Sequence, residues 1–184
     1  MANFTKDAIK ESFLNLLEIK PYNQITVKDV VEECGINRNT FYYHFADLPA
    51  LFKEILDEQM DMLINEDSDI SNLEESFNHA VKFVMDNKKA IYHIYNSINR
   101  DIFERYLMRV CDHVVKKYER KAFENSSITD RDKKLIEKHY KYVLFGASID
   151  WLESGMKSDI QGDIHTLCKI LNRLQPYMQE YFPG

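Results

Sequence analysis

A short segment around residue 40 carries several side chains that can donate hydrogen bonds and no acidic side chain. The donors are Arg38, Asn39, Thr40, Tyr42, Tyr43 and His44. A helix that buries one side and presents such donors on the other meets the requirements for lying in a DNA major groove. The segment therefore predicts contact with DNA.

The surrounding residues supply the elements that would hold this face outward. Apolar side chains recur at i, i+3, i+4 and i+7, which lines one side of a helix with Val27, Val30, Val31 and Cys34. Thr26 and Asp29 have the spacing of an N-terminal capping box, and Gly35 permits a sharp turn. Asn37 can cap the second helix, whose buried side would be Ile36, Phe41 and Phe45. The pattern predicts a helix, a glycine turn and a second helix.

This segment resembles the helix-turn-helix of the TetR family of bacterial transcription regulators. The family pattern of glycine, threonine, tyrosine, histidine and apolar residues is matched by Gly35, Ile36, Thr40, Phe41, Tyr42, His44 and Phe45. The alternative is a helical hairpin whose tyrosines cover a core. Helical hairpins are common, but the joint occurrence of all these positions is not, which favours the family.

The resemblance implies an all-α fold of about nine helices. An N-terminal three-helix module would bind DNA, and a C-terminal helical module would bind a ligand and form a dimer. In this chain we expect a DNA-binding domain at 1–47, a linking helix at 48–64 and an effector-binding and dimerisation domain at 65–184. The polar run at 65–69 interrupts the apolar pattern and favours a boundary there.

By the same resemblance, eight residues are expected to contact DNA: Thr26, Lys28, Arg38, Asn39, Thr40, Tyr42, Tyr43 and His44. Arg38 and Asn39 are the candidates for base edges, because arginine prefers guanine and asparagine prefers adenine. Thr26 and Lys28 begin the first helix of the motif and resemble phosphate contacts. Thr26 would use its backbone N–H, as helix N-termini do with anions.

The N-terminal segment has a negative net charge, which argues against a strongly basic DNA interface. The chain has a net charge of -6, and residues 1–64 contain 6 Lys or Arg against 11 Asp or Glu. Many family members also place a lysine where the fourth helix begins, whereas this chain has Asp47, Leu48 and Pro49, and Lys53 is a weak substitute. We therefore expect fewer phosphate contacts, and a shallower dependence of DNA affinity on salt, than for a basic DNA-binding domain.

Composition agrees with a small helical protein of the cytoplasm. The chain has 184 residues, 45% of them hydrophobic and 29% charged, with only 5 Gly and 4 Pro. Its longest apolar stretch is too short to span a bilayer, and its first residues do not resemble a secretion signal. The three cysteines match neither a disulfide framework nor a zinc site, so each is expected to be a small buried hydrophobe.

The helix expected from Thr129 to about Gly155 predicts association between subunits. From Tyr142 to Leu152 it is apolar or small on nearly every side, and such a helix must be covered on every side. The alternative is burial inside one larger core. Because TetR-family proteins form dimers through their last two helices, the expected interface is Phe145, Ala147, Trp151, Leu167, Leu171 and Leu174. The last helix is expected from about residue 163, with Pro176 kinking or ending it.

A ligand site in the C-terminal module is also implied by the resemblance. Its candidate residues are Tyr92, Tyr95, Arg105, His139 and Tyr142. A single tyrosine or histidine on a helix is, however, more often an ordinary core or surface residue. The histidines lack the spacing of a metal site, so we expect no metal and no cofactor.

Three functions are consistent with these patterns. The first is a homodimeric regulator, most often a repressor, that binds a palindromic operator and responds to a small effector. The second is a protein-binding co-regulator with weak DNA binding, which the acidic N-terminal segment favours. The third, a small helical enzyme, lacks any nucleophile–base pair. The segments at 142–146 and 151–156 also resemble a branch that includes regulators of dihydroxyacetone kinase operons.

Overall fold

The computed structural model describes residues 2–66, 73–97, 99–122 and 128–181, which contain nine α-helices and no strand. The helices are α1 (Ala2–Ile19), α2 (Val27–Cys34), α3 (Arg38–His44), α4 (Leu48–Glu66), α5 (Leu73–Asp86), α6 (Lys88–Tyr95), α7 (Arg100–Ala122), α8 (Asp130–Glu153) and α9 (Ile160–Tyr181). A short 3₁₀ turn, Tyr22–Gln24, joins α1 to α2. The prediction of an all-α fold with about nine helices is confirmed.

The chain divides into two compact units. The first unit comprises residues 1–62 and 84–106, and the second comprises residues 63–83 and 107–184. Helices α4, α5 and α7 each contribute residues to both units. These units group residues by packing, so the functional division at residues 47 and 64 stays a prediction.

Aromatic side chains fill the centre of the first unit. Phe13, Tyr22 and Phe52 are buried, and their ring centroids lie 5.8 to 6.4 Å apart in edge-to-face or tilted arrangements. Such pairs are favourable because the positive edge of one ring meets the negative face of another. Burial, with Asp47 nearby, raises the pKa of Tyr22 to about 12. This cluster joins α1, the 3₁₀ turn and α4.

Helix α6 packs against α1 within the first unit. Ile91 and Ile94 are buried, and Nδ1 of His93 lies 2.7 Å from the carbonyl oxygen of Leu17. A carbonyl can only accept, so Nδ1 carries the hydrogen and donates it. The bond satisfies one of the last carbonyl groups of α1, which have no partner inside the helix.

The second unit connects α8 to α9 through a tightly bonded turn. Gly155, at φ 74°, and Met156 donate their backbone N–H groups to the Leu152 and Trp151 carbonyls, at 3.0 and 2.9 Å. This is the pattern of a Schellman helix end. The Trp151 indole N–H donates to the Ser158 carbonyl at 3.1 Å, which ties the turn back to α8.

Two expectations about these helices need correction. Helix α9 begins at Ile160, three residues before the expected start at about residue 163. Helix α9 also continues past Pro176 to Tyr181, so of the two effects expected of Pro176, ending the helix is wrong, and kinking it stays a prediction. A proline removes one backbone hydrogen bond, but its φ near −65° remains compatible with a helix.

Candidate nucleic-acid interface

The start of α2 is held by reciprocal hydrogen bonds. The Thr26 hydroxyl accepts from the Asp29 N–H at 3.2 Å, and the Thr26 N–H donates to the Asp29 carboxylate at 2.7 Å. Lys20, just after α1, pairs with the same carboxylate at 3.0 Å. Hydrogen bonds from Thr26 and Lys20 lower the pKa of Asp29 to about 2. The predicted capping box is present, and it also anchors α2 to the end of α1.

The turn between α2 and α3 depends on glycine. Gly35 has φ 70°, a left-handed conformation that other residues adopt only with strain. The N–H groups of Gly35 and Ile36 donate to Glu32 and Val31 at 3.3 and 3.0 Å, which completes a Schellman helix end. This geometry sets the direction in which α3 leaves α2.

Helix α3 is held by a cap at one end and by buried rings. The Asn37 side-chain oxygen accepts from the Thr40 N–H at 2.9 Å and from the Thr40 hydroxyl at 3.2 Å. Phe41 is 0% exposed and Phe45 is 4% exposed. One side of α3 is therefore fixed in the core of the first unit, and the opposite side faces outward.

The outward side of α3 presents the predicted donors. Arg38, Asn39, Tyr42 and Tyr43 are exposed, whereas Thr40 and His44 are half-buried. Tyr43 is the more exposed of the two tyrosines, at 80% against 55% for Tyr42. Among the described residues, Arg38 is paired with no acidic side chain, so its guanidinium is available to a ligand. The expected orientation is observed, and contact with DNA stays a prediction.

The two expected phosphate contacts on α2 differ from the prediction in detail. The Thr26 N–H, proposed for a phosphate, already donates to Asp29 at 2.7 Å. An N–H committed to a carboxylate has no hydrogen left for a second anion. Lys28 is exposed, and its ammonium lies 3.6 Å from Glu32 one turn along α2. Lys28 therefore remains available, because exposed ion pairs of this kind are weak.

The five ligand candidates do not have the partly buried positions of a cavity wall. Tyr92, Arg105, His139 and Tyr142 are exposed, and Arg105 pairs with Asp101 at 2.7 Å. Tyr95 is buried, with the Arg100 guanidinium 4.1 Å from its ring centroid. The sequence could not distinguish these positions, because hydroxyl and imidazole groups occur on exposed and buried helix faces alike.

The candidates for the subunit interface separate into exposed and buried residues. Ala147 is exposed, and Phe145 and Leu167 are half-buried. Trp151 is only 5% exposed and belongs to the core of its own unit, so it is not available as an interface anchor. The side chains of Leu171 and Leu174 lie outside the part of the chain that the structure describes.

Exposed apolar residues beyond the six predicted from the sequence extend this surface. Leu135, Tyr142 and Val143 on α8 and Ile170 on α9 are each about half exposed. Gly146 and Ala147 are exposed one turn after Tyr142 and Val143. The spacing of residues 135, 142, 143, 146 and 147 places them along one side of α8, a signal already present in the sequence.

In the described ranges, no three histidine, cysteine, aspartate or glutamate side chains come together in a group that could hold a metal ion. None of the described helices combines the length and apolar character that crossing a membrane requires.

Comparison with known protein families shows which family this chain belongs to. Residues 14–55 match the family of bacterial regulatory proteins called tetR, and residues 71–173 match a family described as the C-terminal region of transcriptional regulators. The second match alone covers more than half of the chain. The chain belongs to the TetR family of bacterial transcription regulators. The family expected from the residues at 35–45 is confirmed.

Individual relatives of this TetR-family protein agree with the suggested branch. A 65-residue segment is 34% identical to the HTH-type dhaKLM operon transcriptional activator DhaS of Lactococcus lactis subsp. lactis (strain IL1403). The match spans 35% of this chain and 35% of that relative, well under two thirds of its length.

Two solved structures share the fold. One is described as dihydroxyacetone kinase operon activator DhaS, at 20% identity over 98% of both chains, with a TM-score of 0.74. The other, fatty acid degradation regulator FadR from Bacillus halodurans, is 16% identical over 93% of this chain and 94% of that chain, with a TM-score of 0.58. At these identities the likeness shows a common fold.

The capping box generates a prediction about stability and pH. Because the folded-state pKa of Asp29 is about 2, below the usual 3.8, its carboxylate stabilises the fold at higher pH. This contribution should disappear as the pH falls from about 4 towards about 2. We expect Asp29→Asn to lower the free energy of unfolding at pH 7, and by less at pH 3, as measured by urea denaturation.

Glu33→Gln is the matched control, because Glu33 is an exposed acid on the same helix. It should change the free energy of unfolding little at either pH. An Asp29→Asn effect of equal size at pH 3 and pH 7 would show that the ionised carboxylate is not what stabilises α2.

Proposed function

We propose that this protein is a transcription regulator that binds a palindromic operator as a homodimer. Each subunit would place α3 in the major groove. The observation that carries the proposal is the outer side of α3, which is exposed, rich in hydrogen-bond donors and free of acidic residues. The inner side of the same helix is fixed by the fully buried Phe41. The TetR-family membership of the chain supports the same function.

Each side chain on this face has a proposed role. Arg38 and Asn39, at the N-terminal end of α3, would contact base edges. Tyr42, Tyr43 and His44 would contact phosphates or bases. Lys28 would bind a phosphate, and Thr40 would hold the start of α3 through its bonds to Asn37.

A dimer is proposed from the apolar side of α8. A group of neighbouring apolar side chains exposed on one subunit commonly marks a surface that a partner covers. Two copies related by a two-fold axis would cover Tyr142, Val143 and Ala147, with Phe145 and Leu167 at the margin. Two-fold symmetry also suits a palindrome, whose half-sites lie about 34–36 Å apart. The functional domains would then be 1–47, 48–64 and 65–184.

Whether this protein represses or activates transcription can be tested directly. The family resemblance implies a small effector and, most often, repression in the cytoplasm. The relative DhaS is named an activator of the dhaKLM operon, which makes activation the second candidate. Deleting the gene and measuring transcripts of neighbouring genes separates the two, since loss of a repressor raises transcription and loss of an activator lowers it.

A protein-binding co-regulator remains the alternative function. The excess of acidic residues in segment 1–64 favours it, because phosphate binding needs local positive charge. Lys28 also has an acidic neighbour in Glu32. This alternative predicts weak or no DNA binding by an otherwise well-folded dimer.

DNA binding can be tested with substitutions on α3. We expect Arg38→Ala to weaken operator affinity by about 1–3 kcal/mol, or roughly 5- to 150-fold, because a base-edge contact is lost. Tyr43→Ala should also weaken binding. Both should leave the melting temperature nearly unchanged, since these side chains are exposed. Fluorescence anisotropy with DNA from upstream of its own gene measures the affinity.

Arg105→Ala and Tyr92→Ala are the controls, as they remove an exposed arginine and an exposed tyrosine elsewhere on the first unit. They should bind DNA like the wild-type protein. If the wild-type protein binds no DNA at low salt, including its own upstream region, the operator-binding function is wrong and the co-regulator is favoured.

The dimer proposal predicts the effect of a charge on α8. We expect Val143→Glu to weaken self-association by about 100-fold or more, because an unpaired charge in an apolar interface costs several kcal/mol. Sedimentation velocity across a concentration series measures this. Tyr92→Glu is the matched control, since Tyr92 is 50% exposed and Val143 is 52% exposed. A Val143→Glu variant that remains as dimeric as the control contradicts this interface.

A further inference from the structure

A lysine on α1 lies beside the C-terminal end of α3. The Lys6 ammonium is 5.5 Å from the centroid of the Phe45 ring, and Phe45 directly follows the last residue of α3. Nothing in the sequence around Lys6 indicates this proximity, because the two residues are distant along the chain. The fold therefore adds a cation at the end of a helix whose outer face carries Arg38 as its only arginine or lysine.

The acid that holds Lys6 is shared with a second lysine. The Glu54 carboxylate on α4 lies 2.7 Å from the Lys6 ammonium and 3.1 Å from the Lys10 ammonium. Partial burial would raise the pKa of Glu54, but the bonds from both lysines outweigh it and lower the pKa. If Lys6 moved away, Glu54 would still be paired.

The two lysines differ in their freedom to move. The Lys10 side chain is 9% exposed, contacts Glu58 and lies 3.6 Å from Asp7 as well. The Lys6 side chain is 33% exposed, and its acidic partner is the shared Glu54. Lys10 is thus a fixed part of the α1–α4 contact. The Lys6–Glu54 pair is only partly buried, and Glu54 would keep its pair with Lys10, so Lys6 can leave Glu54 at a lower cost than Lys10 could.

We propose that Lys6 is a phosphate-binding residue of the DNA interface. On binding, its ammonium would transfer from Glu54 to a backbone phosphate beside the C-terminal end of α3, while Lys10 keeps Glu54 neutralised. A lysine ammonium suits a phosphate because it is a compact charge with three donors on a flexible stem. The proposal rests on the proposed operator binding and adds a contact from outside the helix-turn-helix.

Salt dependence of binding tests this role directly. Each phosphate neutralised by a lysine contributes about 0.9 to the slope of log affinity against log salt concentration. For a dimer, Lys6→Gln should make the slope shallower by about 1.8, with little change in the preference between operator and unrelated DNA. Lys6→Arg should retain the wild-type slope. The measurement is anisotropy of a labelled duplex from its own upstream region, between 50 and 200 mM KCl.

Lys157→Gln is the matched control, because it removes the same charge from an exposed position between α8 and α9. Its slope should equal that of the wild-type protein. A Lys6→Gln protein with an unchanged slope overturns the proposal, since a lysine that only ties α1 to α4 releases no counterions from DNA. If the wild-type protein itself binds no DNA, the operator-binding function fails first, which is a separate result.

A double-mutant cycle gives a second measurement that does not rely on Lys6→Gln alone. Glu54→Gln removes the acid that competes for Lys6, so we expect tighter DNA binding by about two- to fivefold. The gain should be smaller in the Lys6→Gln background, because no lysine is then released. Equal gains in both backgrounds would reflect only the lost negative charge of Glu54 and would contradict transfer of Lys6 to a phosphate.

Discussion

A seven-residue helix is not stable in water by itself, and the candidate DNA-binding donors from Arg38 to His44 all lie on such a helix. Helices shorter than about 12–15 residues are marginal without tertiary contacts. In this protein the contacts are Phe41 and Phe45, which are buried against the first unit. The Asn37 cap and the left-handed Gly35 turn set where α3 begins and in which direction it runs. Because the buried rings of Phe41 and Phe45 fix α3 to the first unit, its outer side can carry hydrogen-bond donors.

The same unit shows how an acidic segment can present a surface suited to DNA. Within residues 1–64, Asp29 is paired with Lys20, and Glu54 and Glu58 are paired with Lys10. These pairs tie α1 to α2 and α4 and neutralise acids locally. Since charges separated by more than about 8–10 Å are largely screened at physiological salt, the net charge of the segment does not determine the field at α3. For the electrostatic field at α3, the position of each charge matters more than the net charge of the segment.

The parts of the structure that could be predicted are those set by neighbouring residues. The Thr26–Asp29 box, the Asn37 cap and the turn at Gly35 were all predicted correctly, because each involves residues within a few positions of one another. The ligand candidates stay a prediction, and four of the five are exposed. Chemical type alone does not indicate which face of a helix is covered.

The sequence by itself determined the family, the order of the helices and the residue types on the outer side of α3, since helix periodicity and caps are local. Only the tertiary structure decided which side chains are buried and which residues from other helices lie beside them. It shows that Trp151 belongs to the core of its own unit and that Lys6 lies beside Phe45. Burial and the pairing of charges arise from contacts between separate helices or around a turn, so their geometry appears only when the chain has folded.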